Sequence, residues 1–307
     1  RRLGQPPVAR RAPLVAGLQF RDMASESVAR GDAAGSAIAS MAVSDAPAPP
    51  VPPAPGQPNL PPASGSPALI AYSYSMSLEL PAAQVLALGI LEHRGDPAGL
   101  SAATTASASS DPAVKVVGIH AIGVLGGASA VPALLTAATS GDDEVKRTAN
   151  ESLDVLRGND VDEMMLSAMA GSDTDTRSVL IRSLATRGAK SALPMLFKAT
   201  EDSDESIRAK AFDALGTLAG PDELPQLIAL VEKMNGNSAQ PQAESALVAV
   251  SQKAADANAR AKAVLDALSA SKDEKVRTSL TKVAGRIGDA SALPALRDLA
   301  AKADEPA

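Results

Sequence analysis

Histidine, cysteine and paired carboxylates most often carry catalysis or bind metals, and this chain of 307 residues is poor in the first two. It has no cysteine, which excludes disulfides, thiolate zinc sites and thiol nucleophiles. Its two histidines, His93 and His120, have no cysteine or further histidine with which to form a site, so we interpret them as surface or capping residues. We therefore expect no catalytic residue, no metal site and no bound cofactor.

Other possible catalytic features also have simpler interpretations. Glu144 and Glu151 would share one face of a helix, but two carboxylates without a shaped pocket are not sufficient for general acid–base catalysis. No Gly-rich phosphate loop, Gly-x-Ser-x-Gly or His-Glu-x-x-His motif occurs. We interpret glycines such as Gly123, Gly188 and Gly216 as helix C-caps. The chain is therefore predicted not to be an enzyme.

Charge and composition argue against some classes of partner and favour one class of fold. The net charge of −6 and the isoelectric point near 5.1 argue against a general affinity for nucleic acid or anionic membranes. No apolar run reaches the roughly 20 residues of a membrane span, so we expect a soluble protein of the cytoplasm or periplasm. Aromatic residues are only 2% of the chain, and a core of small aliphatic side chains favours closely packed helices.

The first quarter of the chain differs from the remainder. Ten prolines lie between Ala46 and Pro67, which favours an extended linker, and the preceding residues contain few large apolar side chains. We predict that residues 1–67 form a disordered arm and a Pro-rich linker. Residues 68–80 alternate Tyr, Met and Leu with Ser and Glu, which is the periodicity of a strand. We interpret residues 68–81 as a strand-like stump of another domain.

An internal repeat dominates the remaining sequence. Similar stretches begin at Asp111, Asp142, Asp173 and Asp204, in steps of 31 residues, and include DPAVKVVGIHAIGVLG and DESIRAKAFDALGTLA. A fifth copy begins at Asp273, which leaves room for a degenerate repeat around residues 241–250. A first helix in each unit is marked by a proline, which suits the first helical turn. These prolines are Pro132, Pro194, Pro225 and Pro294.

The repeated stretches resemble HEAT repeats, more narrowly the bacterial PBS-lyase-like branch with its pattern DxxVRxxAxxALGxLG followed by ALPxL. The resemblance covers about residues 82–300. It implies an all-α fold, a right-handed α-solenoid of HEAT-type helix pairs over residues 82–307, in which each pair is stable only when stacked on its neighbours. Residues 82–91 look like the second half of a repeat helix, so we expect the array to begin in mid-repeat, after a truncation or a join.

Two features of each second helix are assigned to the scaffold. The aspartate at its start is expected to cap the first free amides of the helix. A basic residue follows four positions later, and we expect it to pair along or between repeats. These cations are Lys115, Lys146, Arg177, Arg208 and Arg277.

A further line of residues on the second helices is expected to face outward, on the surface that is concave in HEAT arrays. Its character changes from apolar around Val117, through mixed charge around Glu144, to basic in the last repeat. The cations of this line form a candidate site for a protein partner. They are Arg182, Lys210, Lys275, Lys282 and Arg286. A solvated face without a binding role would show the same pattern, and both interpretations stay open.

The leading hypothesis is a monomeric, non-catalytic scaffold that binds a protein partner on this face. The alternatives are the HEAT arm of a larger multidomain bacterial protein, or a lyase-like HEAT protein whose functional domain is absent here. Phycobilin lyase activity would need a tetrapyrrole-holding groove, and alkylpurine glycosylase activity a basic groove with aromatic residues. The chain has no Trp, and only Phe197 and Phe212 lie in the array, so both activities are disfavoured.

Overall fold

The computed structural model describes residues 67–77, 79–256, 260–294 and 296–297. In these ranges the regular structure consists of α-helices and short 3₁₀ turns, without a β-strand. The predicted all-α fold class is therefore confirmed. The chain divides into two compact units between Arg157 and Gly158, whereas one solenoid had been predicted over residues 82–307. The predicted disordered arm and Pro-rich linker fall almost entirely on residues 1–66, which lie outside the described residues.

In the described part of the first unit, helices follow one another as pairs. They are α1 (Pro67–Ser77), α2 (Pro81–Arg94), α3 (Gly99–Ser107), α4 (Pro112–Leu125), α5 (Val131–Ser140) and α6 (Asp143–Val155). Each odd-numbered helix packs on the even-numbered helix that follows it. The second helices of the pairs also pack on one another in chain order, α2 on α4 and α4 on α6. This is the nearest-neighbour stacking of an α-solenoid.

The second unit continues the same pattern over its described residues. Its helices are α7 (Val161–Met169), α8 (Thr174–Arg187), α9 (Leu193–Ala199), α10 (Glu205–Leu218), α11 (Leu224–Lys233), α12 (Gln240–Ser251), α13 (Lys262–Ala270) and α14 (Glu274–Ile287). The second helices α8, α10, α12 and α14 again pack in chain order. The predicted degenerate repeat is α12 with its first helix α11.

The two sequence signals predicted for helix starts, an aspartate cap on second helices and a proline in first helices, are both present. Side-chain oxygens of five aspartates accept hydrogen bonds from backbone amides two or three residues further on, at the starts of α4, α6, α8, α10 and α14. The hydrogen bonds from Thr176 also lower the pKa of one of them, Asp173. Pro132, Pro194 and Pro225 lie in the first turns of α5, α9 and α11, each after a 3₁₀ turn. The degenerate helix α12 begins without a side-chain cap.

The predicted apolar stripes form the core between helices. In α10 the buried residues include Ile207, Ala211, Ala214 and Leu215, and Leu215 has no exposed surface. In α4 the corresponding positions, which include Val114, are also buried. Burial of these stripes against both neighbouring pairs is the main source of stability in such a stack.

The prediction of a strand at residues 68–80 was wrong, because residues 67–77 form helix α1. The residues that α1 buries have the helical spacing i, i+3, i+4 and i+7, and they are Ala68, Ala71, Tyr72 and Ser75. The alternating serines bond to the helix itself: the Ser73 hydroxyl donates to the carbonyl of Leu69 at 3.0 Å, and that of Ser75 to the carbonyl of Tyr72 at 2.7 Å. The alternation of polar and apolar residues therefore did not reflect a sheet.

The expected start of the array in mid-repeat was also wrong. Residues 82–91 belong to α2, and α2 packs on α1, so the pair is complete within the described residues. The two helices are joined by a tight turn in which the amide of Leu80 donates to the carbonyl of Ser75 at 2.9 Å. The first described repeat is therefore a helix pair like the others.

Two of the glycines interpreted as C-caps have another role. Gly188 does end α8, with a positive φ of 74°, but Gly123 and Gly216 lie inside α4 and α10. A Cβ atom at Gly123 would lie 2.7 Å from the Cα atom of Ser152 in α6. Gly123 therefore allows a close approach of α4 and α6, where the Ser152 hydroxyl donates to the carbonyl of Ile119 at 3.2 Å.

Candidate partner-binding site

The arginines that follow the caps serve the scaffold, as predicted. Arg177 of α8 forms an ion pair with Asp202, which precedes α10 in the next repeat. Arg208 donates from Nη1 to the carbonyl of the same Asp202 at 2.8 Å. Arg277 donates from Nη1 to the carbonyl of Leu268 near the end of α13, at 3.0 Å. A cation near the C-terminus of a helix is favoured by the helix dipole, so these three side chains are engaged in holding neighbouring helices.

The five cations of the candidate site all belong to the second helices of the second unit and are exposed. We call the exposed side of α8, α10, α12 and α14 the second-helix face. On it, Arg182 of α8 and Lys210 of α10 line a groove of about 290 Å³, together with Thr186, Asp213 and Thr217. The structure therefore brings Arg182 and Lys210 together in one groove.

The remaining three cations, Lys275, Lys282 and Arg286, lie along α14. Ser279 of the same helix is only 2% exposed and does not belong to this exposed line. Its small side chain lies against the neighbouring second helix α12, where its hydroxyl does not reach solvent.

A buried carboxylate lies behind the cations of α14. Glu244 of α12 is 1% exposed, and its Oε2 atom lies 2.9 Å from the Nζ atom of Lys282. Its other oxygen, Oε1, accepts hydrogen bonds from the Ser279 hydroxyl at 2.7 Å and from Nε2 of Gln240 at 3.0 Å. The ion pair of Glu244 with Lys282 joins α12 to α14 at the degenerate repeat, whose second helix has no aspartate cap.

Two opposing effects act on this carboxyl group. Burial raises the pKa of Glu244, but the nearby Lys282 and the hydrogen bonds from Ser279 and Gln240 outweigh burial and hold the pKa below its ordinary value. Glu244 is therefore ionised at neutral pH. A buried charge of this kind requires a partner, and Lys282 supplies it.

The other two cations of α14 have weaker local contacts. Arg286 donates from Nη2 to the hydroxyl of Ser245 in α12 at 3.1 Å. Within the described ranges Lys275 forms no ion pair, and Lys210 of α10 likewise forms none. The charges of Lys275 and Arg286 are thus available to solvent, whereas that of Lys282 has a buried counter-ion.

His120, which could have been a catalytic or metal-binding residue, pairs with a glutamate instead. His120 of α4 is half-buried, and its Nδ1 atom lies 2.9 Å from Oε2 of Glu92 in α2. Groups of three or more His, Asp or Glu side chains that could hold a metal ion do not occur among the described residues. Also among these residues, no helix has the length and apolarity needed to cross a membrane.

Sequence reasoning missed a groove of the second unit that lies on its first helices. Its volume is about 1000 Å³, and it runs across α7, α9 and α11. Its apolar lining residues include Leu166, Met169, Met195, Phe197 and Leu230. The short helix α9, with seven residues, leaves this surface open. The spacing of Leu166 and Met169 on one face of α7 was visible in the sequence, but only the second helices had been searched for a site.

Comparison with solved structures found several matches of low identity. One is the complex of CpcE and CpcF of phycocyanin lyase from a Nostoc species, at 16% identity, 78% coverage of this chain, 100% of that chain and a TM-score of 0.34. Two engineered proteins match at 18% identity and TM-scores of 0.35 and 0.36. They cover 62% and 91% of this chain and 96% and 81% of their own. At these scores the likeness carries no argument about function.

No curated protein matches the chain. The family model for HEAT repeats matches residues 163–248, which extend from α7 to α12. The matched segment contains Arg182, Lys210 and Glu244. The resemblance to HEAT repeats is therefore confirmed for residues 163–248.

Proposed function

We propose that this chain is a non-catalytic scaffold that binds an acidic segment of a partner protein along its second-helix face. The observation that carries the proposal is the presence of exposed cations on three of the four second helices of the second unit, with Arg182 on α8, Lys210 on α10 and three cations on α14. Helices packed in a stack hold such side chains at fixed spacings, so an extended ligand can contact several of them at once.

The charge distribution supports an acidic ligand. The whole chain has a net charge of −6, but residues 260–297 contain eight basic and four acidic residues. Exposed cations of this kind attract an oppositely charged segment over about 10 Å and accelerate its association. Because many of the remaining charges are acidic, they repel the same ligand elsewhere on the chain and thereby favour binding at the basic end.

The groove between α8 and α10 adds positions for specific contacts. The hydroxyl groups of Thr186 and Thr217 donate to the helix carbonyls of Arg182 at 3.0 Å and Asp213 at 3.1 Å, so toward a ligand their oxygens act as acceptors. The carboxylate of Asp213, which also lines the groove, disfavours a second negative charge beside it. A segment with carboxylates near Lys210 and an uncharged or basic side chain near Asp213 would fit this arrangement. The proposed surface therefore selects for charge pattern as well as for net charge.

The proposal is tested with the full chain and a fluorescein-labelled decaglutamate peptide as probe. Reversal of Lys210, Lys275 and Arg286 to Glu, which leaves the pair of Lys282 with buried Glu244 intact, should weaken binding by at least about tenfold at low salt, and the dependence of affinity on salt should decrease. The melting temperature should change by only a few degrees, since exposed charges contribute little to stability.

Reversal of three exposed cations on first helices is the matched control. Lys198, Lys233 and Lys262 lie on α9, α11 and α13, and their change to Glu alters net charge by the same amount. If both triple variants weaken probe binding equally, the effect is one of net charge only and the second-helix face is not the site. The same conclusion follows if the variant of Lys210, Lys275 and Arg286 folds and binds as tightly as the wild type.

A further inference from the structure

The three cations of α14 are not equivalent, because only one of them has a buried counter-ion. The side chain of Lys282 is 59% exposed, whereas that of its partner Glu244 is 1% exposed. Lys282 therefore faces solvent on one side and the carboxylate of Glu244 on the other. Because Glu244 is buried, a ligand in solvent cannot take its place beside Lys282. Lys275 has no such carboxylate in the described part of the chain, and Arg286 contacts the neutral hydroxyl of Ser245.

The hydrogen bonds around Glu244 fix this arrangement. Oε1 is occupied by Ser279 and Gln240, and Gln240 also donates to the Ser279 hydroxyl at 3.2 Å. The carboxylate therefore cannot rotate away from Lys282 without losing these bonds. Oε2 is buried and accepts no hydrogen bond from the described residues, and it lies 2.9 Å from the Nζ atom of Lys282, so its charge acts mainly on that ammonium group.

We infer that Glu244 is a specificity-determining residue of the second-helix face, which neutralises Lys282 from the protein interior and thereby limits the acidity of the ligand that this face prefers. The inference rests on the proposed function, since it concerns the same surface. Toward a ligand in solvent, Lys282 and Glu244 act as a dipole with its positive end outward, and Lys275 and Arg286 act as full charges. A ligand with two carboxylates spaced to reach Lys275 and Arg286 therefore gains little affinity from a third carboxylate near Lys282.

Two variants change the net charge of the cluster formed by Lys275, Lys282, Arg286 and Glu244 by known amounts, so their expected affinities can be compared. The wild-type cluster has two net positive charges, and Glu244→Gln raises this to three. The double variant E244Q/K282Q returns it to two while replacing the buried pair by neutral side chains of similar shape. Replacement of a buried ion pair by neutral groups is often nearly neutral for stability, so the double variant is expected to fold.

The experiment measures decaglutamate affinity for the full-length chain by fluorescence anisotropy, at low salt and at about 0.5 M salt, where the Debye length is only a few ångströms. Glu244→Gln should bind about three- to tenfold more tightly at low salt, and the gain should vanish at high salt. E244Q/K282Q should match the wild type within about twofold. Helicity and melting temperature are recorded for each variant, because a purely structural role would change these and not raise affinity.

The outcomes separate this inference from the proposed function. If the wild type does not bind the probe at all, the proposed function fails first. If the wild type binds through Lys275 and Arg286 but a folded Glu244→Gln variant binds no more tightly, the inference alone is wrong. If Glu244→Gln is too unstable to measure, the double variant E244Q/K282Q provides the test. A several-fold loss of probe affinity relative to the wild type would show that Lys282 acts with its full charge, which would contradict the inference.

Discussion

His120 and Glu92 join two neighbouring second helices of the first unit, with 2.9 Å between Nδ1 of His120 in α4 and Oε2 of Glu92 in α2. The hydrogen bond with Glu92 raises the pKa of His120. Burial of the ring opposes this effect, and the negative charges of Glu92 and Glu151 add to it. The net pKa lies above the ordinary value of about 6.5, so the folded chain favours the protonated form.

This pair predicts that stability depends on pH through His120. Because the pKa is raised on folding, the stabilisation is fully present below about pH 6.5 and is lost as the pH rises through the folded pKa. His120→Gln should therefore lower the free energy of unfolding by about 0.5–1 kcal/mol at pH 6, and by much less near pH 9. Urea unfolding at the two pH values measures the difference.

The neighbouring exposed residue His93 supplies the control for this prediction. His93→Gln should change stability little and equally at both pH values. A loss in His120→Gln of the same size at pH 6 and pH 9 would mean that the ring contributes by packing and not by its charge. NMR titration of Glu92→Gln should in addition show a lower pKa for His120 than in the wild type.

Leu215 tests nearest-neighbour stacking in the second unit. It is completely buried in α10, so Leu215→Ala should lower the free energy of unfolding by about 2–5 kcal/mol through loss of burial and formation of a cavity. Hydrogen exchange should increase mainly in α8 to α12, because each pair depends on its neighbours. The exposed Leu293 is the control, and Leu293→Ala should cost little. A uniform rise in exchange over the unit would contradict this prediction.

Gly118 and Gly285 are expected to respond oppositely to the same change. A Cβ atom at Gly118 in α4 would lie 2.5 Å from the amide nitrogen of Ser107 and 2.7 Å from the carbonyl carbon of Ala106, whereas one at Gly285 in α14 would meet nothing within 4 Å. Gly118→Ala should therefore destabilise by about 1–3 kcal/mol, because backbone must move. Gly285→Ala should stabilise by about 0.5–1 kcal/mol, because alanine is the better helix former. Thermal and urea unfolding of both variants measure this contrast.

The sequence predicted the helix pairs wherever local and tertiary signals agreed. At Asp204, an N-cap, an apolar stripe and a 31-residue spacing all indicated the same helix, and α10 begins directly after that residue. At residues 68–77 only an alternating pattern was used, and the spacing of Ala68, Ala71, Tyr72 and Ser75 was overlooked. A short segment with small polar residues fits both periodicities, and packing against α2 decides between them.

The candidate site was predictable only in part, for a physical reason. Charged residues such as Lys210 and Lys275 are recognised as exposed from their position opposite the apolar stripe. Glu244 lies in the degenerate repeat, and nothing in its local sequence distinguishes a buried carboxylate from a solvated one. Its burial depends on Ser279 and Lys282, which are 35 and more residues away in sequence and are brought together by the packing of α12 on α14.

The ion pair between Arg177 and Asp202 connects α8 to the turn between α9 and α10 of the next repeat. Their side chains are 23% and 17% exposed, so the interaction is screened less than that of a surface pair. A double-mutant cycle with Arg177→Gln and Asp202→Asn should give a coupling energy of about 1–2 kcal/mol. The surface pair Lys262–Asp266, with side chains 71% and 66% exposed, should give less than about 0.5 kcal/mol in the same assay. Urea unfolding of the four variants in each cycle measures both energies, and equal couplings would show that the pair between repeats contributes no more than an exposed contact within one helix.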